Sequence, residues 1–122
     1  MVASMAGALS FLDRVLAVPG VKAGFVPRVP GIPLSRDKWS TLGLLESTHR
    51  EAVSALGFDW SDLWRAEQVH GDVLASVPRA GAEERMVDGA DGLLTSGRDG
   101  VLLGIYVADC AALYLCDRRT GA

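Results

Sequence analysis

Apolar and polar positions change period several times along the chain. Met5, Leu9, Leu12, Val15 and Leu16 recur at helical spacing, which predicts an amphipathic helix over residues 4 to about 17, stopped by Pro19 and Gly20. Residues 21–26 read as a strand. Residues 27–33 hold three prolines and one glycine, which exclude regular structure. Thr48 and Glu51 have capping-box spacing, followed by an apolar face of Ala52, Val53 and Leu56 and by Gly57 as a left-handed cap backed by Phe58. This pattern predicts a short helix. Residues 63–69 then alternate, with Trp64, Ala66, Gln68 and His70 on one face and Leu63, Arg65, Glu67 and Val69 on the other, which predicts a strand. Further strands are predicted over 73–77, 101–107 and 113–115. A polar loop spans 78–85, and a glycine-punctuated turn spans 88–92.

This order of helices and short strands predicts an α/β fold, a mixed β-sheet flanked by helices. With 122 residues, 49% hydrophobic and 22% charged, the chain reads as a single domain with one core over residues 1–122. The net charge is −3 and the basic residues are scattered, which gives no footprint for nucleic acid or an anionic membrane. No apolar run reaches the roughly 20 residues of a membrane span. The N-terminal apolar stretch lacks a basic leader and contains Asp13 and Arg14, unlike a signal peptide. Two cysteines and no targeting segment predict a cytoplasmic protein. The chain stops after the turn-like Asp117, Arg118 and Arg119, so we expect it to be the front part of a longer protein.

The most informative stretch is residues 101–117, where two apolar runs flank Asp109 and Cys110. An ionisable pair at the end of a buried strand requires a partner, a hydrogen bond or a metal, and this singles out Cys110. The competing reading is a cysteine used as a small core hydrophobe and an Asp109 that caps a turn. Cys116 reads as core or strand end. His70 lies at a strand end beside Gly71, where backbone can approach a ligand closely. Arg28, in the proline-rich loop, is a candidate anion contact or a solvated side chain. His49 reads as an exposed residue in the first turn of its helix. Asp88 and Asp91 lack calcium-loop spacing and read as turn residues. No nucleotide-binding glycine loop and no serine-hydrolase elbow is visible.

Gln68-Val69-His70-Gly71, Asp88-Gly89-Ala90-Asp91-Gly92-Leu93-Leu94-Thr95 and Ala108-Asp109-Cys110 form an ordered series. It resembles the YfiH-type laccase-domain family, also described as multicopper polyphenol oxidases or purine nucleoside phosphorylases, over residues 24–122. The resemblance implies a layered α/β fold with a mixed sheet and helices at its flanks. It implies a zinc site, with copper also possible, that takes His70 and Cys110 as metal ligands and catalytic residues. A third histidine lies in an H-A-G-W-R-G segment that the family carries after the strand following A-D-C, beyond Ala122. Asp109 is implied as a proton carrier or an orienter of the ligand, and Arg28 and Gln68 as contacts for substrate. Departures fall at Val26-Pro27-Arg28, which keeps the arginine but loses two hydroxyls, at Ser40-Thr41-Leu42-Gly43, which loses an asparagine, and at Ala112, where proline is usual. They touch substrate contacts more than the metal pair.

The implied activity is phosphorolysis of adenosine, inosine and methylthioadenosine, with deamination of adenosine. The partners are a purine nucleoside and phosphate, without nucleic acid or membrane. Two other readings compete. In one, Cys110 is the nucleophile of a cysteine hydrolase or of an amidase that edits peptidoglycan precursors. In the other, the chain is a truncated, non-catalytic remnant. Two histidines are too few for a multicopper cluster. The segment around Leu113 and Leu115 is expected to present an exposed apolar face.

Overall fold

The computed structural model describes residues 10–33, 37–78, 85–96 and 100–120. Of the predicted N-terminal helix, residues 4–9 lie outside the described residues. The remainder forms a 3-10 turn, Ser10–Leu12, and a single helical turn α1, Asp13–Leu16, which ends before Pro19 as expected. Its role is packing, since Leu12 is 1% exposed and Val18 is buried.

Residues 21–26 are not a strand; they form no ladder. A strand requires a partner for its backbone groups, and this segment is spent on other contacts. Lys22 Nζ donates to Leu56 O at 2.9 Å, capping the end of the next helix. The Tyr114 hydroxyl donates to Gly24 O at 3.2 Å, and Phe25 packs edge-on against Phe11 with ring centroids 5.7 Å apart.

The helix read from Thr48 starts ten residues earlier. Helix α2 spans Lys38–Ala55, with Asp37 as its N-cap. The Asp37 carboxylate accepts from Trp39 N at 3.2 Å and from the Ser40 hydroxyl, and these bonds, the serine one foremost, hold its pKa below the usual value. Thr48 and Glu51 therefore sit in mid-helix. The C-terminus is as predicted. Gly57 adopts φ +84°, Gly57 N donates to Ser54 O at 2.9 Å and Phe58 N to Val53 O at 3.2 Å. This bonding is the Schellman termination, in which a left-handed glycine satisfies the last carbonyls.

Five strands follow: β1 Leu63–Ala66, β2 Leu74–Ser76, β3 Met86–Val87, β4 Gly92–Leu94 and β5 Leu102–Gly104. They form a three-stranded sheet of order β3-β1-β5 and a two-stranded sheet of β2 and β4. The strand pairs are parallel, and with the helices they make a layered α/β fold. β1 is central, and Leu63, Trp64 and Ala66 are all buried. The sequence alternates along β1, but burial does not, because a central parallel strand is covered on both faces. Lys38 Nζ donates to Glu67 O, tying the start of α2 to the end of β1. The predicted strands at 73–77 and 101–107 appear as the shorter β2 and β5, and β4 follows the turn at 88–92. Residues 113–115 form no ladder among the described residues, yet they expose the expected apolar face, Leu113 at 82% and Leu115 at 81%. No helix among the described residues is long and apolar enough to cross a membrane.

Candidate functional site

Beyond Ala66 the chain leaves the sheet in a loop, residues 67–73, that carries Gln68 and His70. Gln68 has φ +60° and His70 φ +61°, so two non-glycine residues adopt the left-handed conformation. L-residues there cost about 1–2 kcal/mol each, and such strain persists only where surroundings impose it. The surroundings are the turn between β3 and β4. Gly89 N donates to Glu67 Oε2 at 2.6 Å, Gln68 N to Ala90 O at 2.8 Å, Val69 N to Asp91 Oδ1 at 2.8 Å and Asp91 N to Val73 O at 2.9 Å. Gly89 takes φ +69° to make the turn. The other Asp91 oxygen, Oδ2, is buried without a hydrogen-bond partner, and a Cβ added at Gly71 would stand 3.0 Å from it. Two of the three sequence motifs thus meet: Asp88 to Asp91 form a clamp that holds the Gln68–His70 loop. Turn chemistry, the reading given to Asp88 and Asp91, is what they perform, and Asp91 in addition carries the loop's geometry.

His70 is exposed. It lies four residues past the end of β1, in a turn and not at the strand end, because the left-handed backbone at Gln68 has already broken the ladder. Asp109 and Cys110 are also exposed. β5 ends at Gly104, and residues 108–110 form a bend, so this pair is not at the end of a buried strand. In water Asp109 requires no partner, and Cys110 is marked by its motif and not by burial. Cys110 and Cys116 are both free thiols. Arg28 is exposed in irregular backbone, and no hydrogen bond or ion pair joins it to the His70 loop among the described residues. Gln68 is half-buried in the clamped loop.

Among the described residues no three His, Cys, Asp or Glu side chains come together as a group able to hold a metal. A catalytic zinc takes three protein ligands and keeps one position open. The described residues do not complete that set around His70 and Cys110.

A second cluster was missed by the sequence reading. His49 is not an exposed surface residue; it is half-buried on the face of α2 that looks toward the sheet, its ring 5.2 Å from that of Tyr106. The reason is the longer helix, which carries His49 into mid-helix over β1 and β5. Burial, and secondarily the Arg65 charge, lower its pKa below 6.5. A depressed histidine stabilises the fold above its unfolded pKa, and that contribution is lost as pH falls through the folded value. Denaturant midpoints are therefore expected to fall below about pH 6.5, a component that His49→Gln removes. Glu46 and Arg65 line the same cleft.

Residues 44–122, running from within α2 through all five strands and the three motifs, match the model of the family described as multi-copper polyphenol oxidoreductase laccase. No curated protein and no solved structure matches the chain. The matched segment is more than half of the chain and contains the whole clamped loop, and the chain belongs to the multi-copper polyphenol oxidoreductase laccase family.

Proposed function

We propose that this chain carries part of the active site of a purine nucleoside enzyme, one that cleaves adenosine, inosine and methylthioadenosine with phosphate and deaminates adenosine. The observation that carries the reading is the clamp on His70. A side chain offered to solvent from a strained left-handed backbone, held by four hydrogen bonds to a neighbouring turn, is built for a ligand and not for packing. Family membership supports it, as does the order in which the motifs of Gln68, Asp91 and Cys110 occur.

His70 and Cys110 are proposed as ligands of zinc, with copper as the alternative that the family description supports. The described residues do not complete the ligand set, so the chemistry derived for this chain is that of its own groups: binding, orientation and proton handling. In phosphorolysis a phosphate oxygen bonds to ribose C1′ as the C1′–N9 bond breaks. The electron pair leaves with the base, which takes up a proton. Arg28 is proposed to hold phosphate by charge-assisted hydrogen bonds, Gln68 to contact the nucleoside, and Asp109 to handle the proton.

The test is turnover by the full-length protein supplied with zinc, in phosphate buffer, followed by chromatography of bases and nucleosides. Free hypoxanthine and ribose 1-phosphate are expected from inosine, and from adenosine both adenine with ribose 1-phosphate and the deamination product inosine. If the protein retains zinc and converts neither, the reading is wrong.

A further inference from the structure

We propose that the cleft between α2 and strands β1 and β5 is a binding site for a small planar aromatic carboxylate, separate from the His70 loop. The cleft measures about 390 Å³, and Trp39, Leu42, His49, Trp60, Arg65 and Tyr106 are among its lining residues. His70, Asp109 and Cys110 do not line it. Volumes of about 300–1,000 Å³ are usual for small-molecule sites, which combine aromatic walls with a few polar groups.

The charge balance of the cleft selects an anion. Glu46 is neutralised by Arg50, whose Nη2 lies 2.7 Å and Nε 2.8 Å from its Oε1. Arg65 has no carboxylate partner among the described residues. Its guanidinium rests over the Trp60 ring at 5.3 Å, and Nη1 donates to the Tyr106 hydroxyl at 3.1 Å. Arg65 Nε and His49 Nδ1 are both buried without hydrogen-bond partners. A half-buried cation without a counter-ion among the described residues, with its own Nε and the His49 Nδ1 of the same cleft unsatisfied, is an incomplete site, because buried polar groups are normally paired. A carboxylate supplies both the missing charge and the missing acceptor.

The walls select an aromatic ring. Trp39 is 54% exposed, although it is a large apolar side chain at the first turn of α2; Trp60, which carries the Arg50 and Arg65 guanidiniums at 4.7 and 5.3 Å, and the packed His49–Tyr106 ring pair line the same opening. Rings stack offset or edge-on at centroid distances of about 4.5–7 Å, and a carboxylate conjugated to a ring shares its plane. A flat acid can thus lie along these rings with its carboxylate at Arg65, which a tetrahedral phosphate cannot do.

The probe is 2-naphthoate, titrated calorimetrically into the full-length protein against its uncharged counterpart, 2-naphthalenemethanol. The acid is expected to bind at least about tenfold more tightly than the alcohol, as one charge-assisted hydrogen bond implies. Arg65→Gln should erase the difference between them, and Trp39→Ala should weaken both alike by about tenfold. The proposal is overturned if the alcohol binds as tightly as the acid, or if the acid keeps its advantage in Arg65→Gln. Should Arg65→Gln not fold, the exposed position of Trp39 keeps the second variant informative: undiminished binding in Trp39→Ala overturns the site as well.

Discussion

Ala66→Glu is expected to leave much of the protein unfolded at neutral pH. Ala66 is 0% exposed, paired with Val87 in the parallel ladder between β1 and β3, with β5 on the other side of its strand. A glutamate there has no solvent and no cation prepared for it. Buried carboxyls titrate as high as about pH 8–9, so holding one neutral at pH 7 costs about 4 kcal/mol. Forcing the longer side chain into a packed site adds about 1–3 kcal/mol. Domains of this size have about 5–15 kcal/mol in all. Leu113→Glu, the same charge placed at a position 82% exposed, is expected to stay within about 0.5 kcal/mol of the parent. Urea unfolding of the two variants checks the placement of the core; similar midpoints for both would contradict it.

The second large effect is expected at Asp91. Its carboxylate accepts the Val69 amide, at the residue between the two left-handed positions. Asp91→Ala removes that acceptor, leaves the exposed amide to water and releases the strain at Gln68 and His70. Loss of a hydrogen bond to a charged group costs about 1.5–3 kcal/mol. The effect on turnover should be larger than the effect on stability suggests, about 10–100-fold, the range seen when groups that orient metal ligands are removed. Asp91→Asn keeps one oxygen for Val69 and should fall between. Measured together, stability and turnover separate the two roles: a variant with lower stability but unchanged turnover would make the clamp purely structural.

Much of the fold was legible because several local signals are strong and unopposed. Gly57 could only be a left-handed cap after an apolar helical face, and it is. The apolar runs at β2, β4 and β5 have no competing period. The start of α2 was missed because two capping signals lie on the same helix. Thr48 and Glu51 have the right spacing, but Asp37 makes the actual cap, and Leu42, Gly43, Leu44 and Leu45 blur the stripe that would have linked it to the rest. Residues 21–26 look like a strand by composition, yet they are held by tertiary contacts, Lys22 with Leu56 and Gly24 with Tyr114, and form no ladder among the described residues.

The site was legible as a set of motifs and not as a geometry. Nothing local predicts that Gln68 and His70 adopt positive φ, because the strain is imposed by Asp91, more than twenty residues away. Burial does not mark Cys110, since β5 ends five residues before Asp109. The motif that contains it survived, because a motif records chemistry and does not depend on where a strand stops. The cleft at Arg65 left no sequence signal at all. Its residues come from α2, the turn before β1, β1 itself and the segment after β5, and only the parallel register of Arg65 with Gly104 places Tyr106 within reach of the guanidinium.

The most direct test of the central claim is kcat/KM for inosine in phosphate, with zinc present, for the full-length protein and its His70→Ala variant. His70 is exposed, so its removal should leave the unfolding midpoint within about 0.5 kcal/mol of the parent. A fall in kcat/KM of at least about 100-fold is expected, about 2.7 kcal/mol of transition-state stabilisation. A folded His70→Ala protein that turns over inosine at the parental rate would contradict it.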